Sequence, residues 1–232
     1  MEDILIVEGA RTPFGTYGGS FKDVSAMELG VAASKAAMER AGVQPQDIDN
    51  VVFGNVIHTS SNAAYLARHI ALHAGVPIHA PALTVNRLCG SGLQAVVSAA
   101  QSIRLGESQV ALVGGTENMS QSPYMLRNGR FGGGLKMDDM LTASLTDEYC
   151  GIGMGVTAEN LAKKYNISRE EQDQFAYESH MRAARAREAG RLATEIVPVT
   201  VRGRKGQETV VAEDEHIRPD TTVERLAKLK PV

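Results

Sequence analysis

Cysteine is scarce in this chain: two occur in 232 residues, Cys89 and Cys150, far apart. With no signal peptide and no long apolar run beside them, a soluble protein of a reducing compartment is expected rather than a disulfide-stapled secreted scaffold or a membrane-spanning chain. Charge of neither sign dominates. The 24 lysines and arginines against 27 aspartates and glutamates leave a net charge of −3, which argues against nucleic acid or a membrane surface as main partner. Phosphate-loop and metalloprotease patterns are missing too. The glycine triplet at 132–134 matches no phosphate loop, and HIALH places His69 and His73 four apart without the glutamate of HExxH or an evident third ligand. No metal site is expected, and both histidines read as packed or surface residues. Hydrophobic residues make up 43%, enough for a substantial core, and the length suits one or two domains at roughly 150 residues each.

The most informative stretch is VNRLCGSGLQAVVSAAQSIRLGE (85–107), where a strand-like run turns sharply into a helix of small residues. Cys89 falls at that turn. Unpaired N–H groups and aligned peptide dipoles at a helix N-terminus favour an anion, so a thiol there is suited to act as a nucleophile. An isolated cysteine also suits burial as a small hydrophobe. PALTVN (81–86) before the turn and VALVGG (110–115) after the helix both read as strands, which makes a βαβ unit. Reactive atoms in such units sit at the carboxyl ends of the strands, where Cys89 lies. Gly90 and Gly92 leave room for a ligand or for close helix–strand packing.

Periodicity supplies the remaining organisation. Residues 4–7 and 51–56 read as strands, Ser25 with Glu28 forms a capping box for a helix stopped by Gly42, and 62–74 reads as a helix with Tyr65, Leu66, His69, Ile70 and His73 at helical spacing. Together with the βαβ unit this is an α/β layer. After Gly115 the character changes. RNGRFGGGLKMDD (127–139) is the least regular stretch and reads as surface loop, 157–165 as helix, and 168–190 as a long charged helix opened by Ser168 and Glu171. Residues 196–201 and 209–212 pair as a hairpin about a basic turn holding Arg202, Arg204 and Lys205, either a solvated tip or a contact for a phosphate.

The chain resembles the thiolase family. The motifs that carry this are VEGARTPFGTYGG (7–19), GNVIHTSSNAAYLAR (54–68), NRLCGSGLQA (86–95) and GGTENMSQSPY (114–124). They continue in order with SLTD (144–147), MGVTAENLA (154–162), ISREEQD (167–173) and DEHIRP (214–219). Within the family the chain looks most like 3-ketoacyl-CoA thiolases, which grade into acetyl-CoA acetyltransferases. The resemblance implies half of a five-layer αβαβα sandwich with an inserted α+β loop domain over the CoA site. A boundary is placed at 118, giving an N-terminal α/β domain (1–118) and a loop domain (119–232).

It also implies a chemistry. Cys89 is expected to attack the ketone carbon of a 3-ketoacyl-CoA, releasing acetyl-CoA as an enolate, and then to pass its acyl group to a second CoA. That scheme needs a base for the thiol, an acid/base for the α-carbon and donors for the thioester oxygen. Family members supply these from a second half, in GHP, CxGGG and NEAF motifs. None of the three occurs in this sequence, and Cys150, followed by GIGMG in the loop domain, is no substitute. The expectation is a fragment or one subunit of a split enzyme, inactive by itself. The helix after Cys89, small at Ala95, Ala99 and Ala100, is expected to have packed on the missing half. A mitochondrial presequence would already have been removed from MEDILIVEGART; the cytoplasm, or the mitochondrial matrix in a eukaryote, is the expected location.

For the CoA site the resemblance points to Arg218 at the adenine and phosphate end, where a planar guanidinium suits both, with a solvated surface arginine as the other reading. Leu145 and Met154 match positions lining the pantetheine channel, core packing being the alternative. Gly153 stands where many biosynthetic thiolases carry a histidine, which speaks against dedicated acetoacetyl-CoA synthesis. His58 and His216 can also reach a ligand. Coenzyme A is expected as substrate with no tightly bound cofactor, in a homodimer or homotetramer. A ketoacyl synthase and a non-catalytic binding or assembly subunit remain as other readings; the VEGARTPFG entry and the loop domain argue against the first.

Overall fold

The computed structural model describes residues 3–203 and 206–231. Arg204 and Lys205 of the basic turn lie outside the described residues. The first helix, α1 (Ala26–Ala41), opens on the expected capping box: Ser25 Oγ accepts the Glu28 N–H at 3.1 Å and the Glu28 carboxylate accepts the Ser25 N–H at 2.9 Å. Gly42 ends it at φ 66°, a conformation that costs glycine little.

Three strands follow, β1 (Asn50–Gly54), β2 (Ala82–Val85) and β3 (Ala111–Gly115), with α2 (Leu66–Ala74) between the first two and α3 (Ser91–Arg104) between the last two. They form one parallel sheet in the order β2-β1-β3. A parallel sheet must be covered on both faces, and the period of two along β1 shows how. Val51 and Phe53 face α1 and α2, packing with Met38, Leu66, Ile70 and Leu112. Val52 faces α3 and packs with Ala95 and Ala99.

The fold departs from expectation at several points. Ala95 and Ala99 are buried against this chain's own sheet, and the outward apolar residues of α3 are Leu93 and Val97, one helical turn apart. Residues 4–7 form no strand. Leu5, Ile6 and Val7 are each more than 70% exposed, because β-propensity without a neighbouring strand leaves nothing to pair with. The second helix begins with a 3₁₀ turn at Ala63–Tyr65, and its buried stripe is Leu66, Ala67, Ile70, Ala71 and Ala74. Tyr65 and His73 point outward instead.

Beyond Gly115 the chain is built of small units. The stretch read as loop contributes to an antiparallel hairpin, β4 (Tyr124–Arg127) with β5 (Lys136–Asp139), and its glycines make the turn, Gly132 at φ 75° and Gly133 at φ 133°. Next come α4 (Met140–Ser144), the two-residue strands β6 (Thr146–Asp147) and β7 (Ile152–Gly153), and α5 (Met154–Tyr165). The charged helix α6 (Arg169–Glu188) carries the expected Ser168/Glu171 box. The hairpin β8 (Val199–Arg202) with β9 (Glu208–Val211) and the short α7 (Val223–Leu226) complete it.

Acidic side chains of DEHIRP fasten this second part to the first. Asp214, 8% exposed, takes a two-pronged bond from Arg11 at 2.8 and 2.9 Å and the Phe14 N–H at 2.8 Å. Burial pushes its carboxyl up, but Arg11, the Phe14 N–H and the charge of Arg187 outweigh that and hold it below the usual range. Glu215 is held low as well, first by the Ser20 hydroxyl, then by the Thr16 N–H at 2.7 Å. Beside them Val211 packs on Phe21 and Leu29.

Candidate active site

The turn between β2 and α3 is closed by its own side chains. Ser91 Oγ donates to Leu88 O at 2.6 Å and accepts the Arg87 N–H at 2.8 Å, while Asn86 Oδ1 accepts the Leu88 N–H at 3.0 Å. Leu88 is thereby held at φ 49°, a left-handed conformation costly for a residue with a Cβ. Cys89 follows it and is exposed in this chain. Helix α3 starts at Ser91 with Gly90 as its cap, so the thiol stands one residue outside the cap. It lies four residues past the carboxyl end of β2, and Ser91 and Gly92 just after it approach the ends of β1 and β3.

That closeness depends on glycine. A Cβ on Gly54 would sit 2.6 Å from the Ser91 carbonyl carbon, and one on Gly115 would sit 3.3 Å from the Gly92 Cα. Only backbone without side chains lets α3 begin this close to the strands.

Among the described residues no hydrogen bond or ion pair joins Cys89 to a histidine or carboxylate. The turn offers an accessible sulfur and the start of a helix, and it holds no base. Leu145, Gly153 and Met154 come together elsewhere: the Met154 N–H bonds Leu145 O at 3.0 Å and Thr146 pairs with Gly153. Leu145 is 45% and Met154 49% exposed, so neither is core in this chain. Gly153 caps α5, and a Cβ there would find Leu145 O at 3.8 Å, ordinary contact that leaves room for a side chain. Arg218 is exposed; its backbone N–H donates to His180 Nδ1 at 3.3 Å, and its guanidinium makes no bond among the described residues. His216 is exposed too. No direct bond among the described residues connects Cys89, the Leu145–Met154 group and Arg218. Clefts of about 400 Å³ at Asn128, Arg130 and Phe131, and of about 500 Å³ at Tyr165, Ile167 and Phe175, contain none of these residues.

One participant escaped sequence reasoning. Glu117, inside the motif GGTENMSQSPY, accepts the Val56 N–H at 2.9 Å, the Ile57 N–H at 3.0 Å and Asn55 Nδ2–H at 3.0 Å. Burial pushes its carboxyl above the usual range against those three donors and the nearby His58. No group of three or more His, Cys, Asp or Glu among the described residues is placed to hold a metal ion, and no helix among them is long and apolar enough to cross a membrane.

Comparison with known proteins agrees on one family. The family model described as "Thiolase, N-terminal domain" matches residues 4–232. Mitochondrial 3-ketoacyl-CoA thiolase of Rattus norvegicus is 50% identical over 100% of this chain and 59% of its own length. A beta-ketothiolase of Cupriavidus necator is 51% identical over 99% of this chain and 59% of its own. The crystal structure of human mitochondrial 3-ketoacyl-CoA thiolase in complex with CoA superposes with a TM-score of 0.92 at 47% identity, covering 97% of this chain and 57% of that one. The chain thus spans about 59% of the length of the curated relatives it matches. A parallel sheet with a cysteine turn at its carboxyl edge, this identity and this superposition together place the chain in the thiolase family, with a thiolase-type α/β fold.

Proposed function

We propose that the protein to which these residues belong is a thiolase-type acyltransferase working on CoA thioesters through an acyl-Cys89 intermediate. The observation that carries the proposal is the placement of Cys89: exposed, on a turn held by Ser91 and Asn86, at the carboxyl edge of the sheet. In the degradative direction the Cys89 sulfur, once deprotonated, attacks the ketone carbon of a 3-ketoacyl-CoA. The Cα–Cβ bond breaks, its electron pair leaves on acetyl-CoA as an enolate that then takes up a proton, and the acyl group stays on sulfur. A second CoA thiol then accepts the acyl group and regenerates Cys89. Running the steps backward condenses acetyl-CoA.

Two proton transfers in this scheme need groups that no bond supplies around Cys89. Residues of a second half, in the same or another chain, are therefore part of the proposal, and the 232 residues alone are expected to be inactive. We divide the chain at 118: the sheet with Cys89 before it, and a cover for CoA after it. Arg218 is assigned to the adenine and phosphate end, its guanidinium making no hydrogen bond among the described residues; Leu145, Met154 and the open space at Gly153 are assigned to the pantetheine arm. Coenzyme A is substrate, with no tightly bound cofactor. Fatty-acid β-oxidation, a homo-oligomer, and a cytoplasmic or mitochondrial-matrix location complete the reading, the last from relatives described as mitochondrial and a bacterial one.

Incubation with acetyl-CoA in the presence of the acceptor half, followed by peptide mass, tests the proposal. Acetyl on Cys89 is expected. An assembled protein that binds CoA and leaves Cys89 unlabelled refutes the nucleophile and favours a binding or assembly role.

A further inference from the structure

Glu117 has no task in the acyl-transfer steps above, yet three donors converge on its carboxylate. By accepting from Asn55, Val56 and Ile57 it fixes the segment that leaves β1. That segment touches the end of β2 and the cysteine turn that follows it. The Asn55 N–H bonds Val85 O at 3.1 Å, and Val56 O accepts from Asn86 Nδ2 at 3.4 Å. Asn86 in turn holds the Leu88 N–H, one residue before Cys89. A non-glycine residue in the left-handed region persists only where its surroundings over-determine it, and Leu88 is such a residue.

We infer that Glu117 is a positioning residue for Cys89, acting through the 56–57 backbone and Asn86 to hold Leu88 left-handed and so to set the direction of the thiol. The inference rests on the reading of Cys89 as nucleophile. Glutamine at 117 would keep one acceptor and turn an amide N–H₂ toward a backbone N–H, breaking part of the set without a change of size.

Alkylation of the purified chain by iodoacetamide, followed at each cysteine by peptide mass, provides the test. Cys150, exposed between β6 and β7, serves as internal reference. The Cys89:Cys150 labelling ratio of the parent is the baseline. Glu117→Gln should lower the Cys89:Cys150 ratio by about tenfold, since the rate of attack by a thiol depends on its access and the released turn no longer holds the Cys89 sulfur exposed. Asn86→Ala, at an exposed position where folding is not at stake, should lower it similarly, and the double variant should lose no more than either alone. An unchanged ratio in either single variant, additive losses, or both cysteines slowing together would overturn the inference. Failure of the nucleophile reading is told apart by the acetyl-CoA experiment above: an assembled protein that leaves Cys89 without acetyl removes that reading, and the inference with it.

Discussion

Replacing Gly54 by alanine tests how closely α3 must approach the sheet. Gly54 is the last residue of β1, paired with Val85 on one side and Gly115 on the other. Its φ is not in the left-handed region, so the substitution is a test of space alone. The new Cβ would lie 2.6 Å from the Ser91 carbonyl carbon and 2.8 Å from both its Cβ and its carbonyl oxygen. Carbon atoms rest about 3.5–4.0 Å apart, so the first turn of α3 must retreat by about 1 Å. The obstacle is backbone pinned by Ser91 bonds to Arg87 and Leu88, not the end of a flexible side chain. Overpacking of this kind costs about 1–3 kcal/mol, and in a chain of this length each kcal/mol lowers Tm by about 2–4 °C. Thermal melts followed by circular dichroism should show that loss for Gly54→Ala, with slower iodoacetamide labelling of Cys89. Gly92→Ala is the control: nothing lies within 4 Å of a Cβ there, so its Tm should match the parent or rise slightly. A Gly54→Ala protein melting within about 1 °C of the parent, with Cys89 labelling unaltered, would refute the claim that glycine is required for the approach of α3.

Acid should loosen the fastening of the second part. Asp214 and Glu215 bind protons more weakly folded than unfolded, so the stability they contribute is complete above ordinary carboxylate values and is lost as pH falls through their depressed ones. Glu117, raised by burial, runs the other way, its linked stability fading as pH rises through its folded value. Melts from pH 7 to 3 should therefore show a loss on acidification that Asp214→Asn flattens, at a cost of about 2 kcal/mol at neutral pH for the weakened bonds to Arg11; an equally steep acid limb in the variant would refute the assignment. Ile70→Ala, at a position with 0% exposure, should cost about 2–5 kcal/mol in urea unfolding. Ser168→Ala should lose about 1 kcal/mol by removing the bond to the Glu171 N–H.

Local signals were legible wherever the chemistry was local. Both capping boxes, the Gly42 stop and the β8-β9 hairpin stand as the residues indicated, because each depends on neighbours a few positions apart; the strand, helix and strand around Cys89 stand too, with β1 inserted between the two strands. Errors fell where a distant partner decides. Residues 4–7 have the composition of a strand and no strand to pair with among the described residues, and the hairpin of β4 and β5 was hidden by a glycine run that forms its turn. Of the residues at helical spacing in 62–74, Leu66 and Ile70 are buried and Tyr65 and His73 are exposed, while packing on β1 and β2 also buries Ala67, Ala71 and Ala74.

The same division runs through the site. From the sequence alone came Cys89, its turn, its family and the absence of the motifs for the second half, since these are matters of residue identity and order. Tertiary structure decided what surrounds the thiol: its exposure, the Leu88 conformation, the approach of Gly54 and Gly115 to α3, and the hold of Glu117 on the 55–57 segment. Most of those features join residues far apart in the chain, Glu117 and Val56 being 61 positions apart. A contact across that distance exists only once the strands have set their register, and nothing in the order of residues states it in advance.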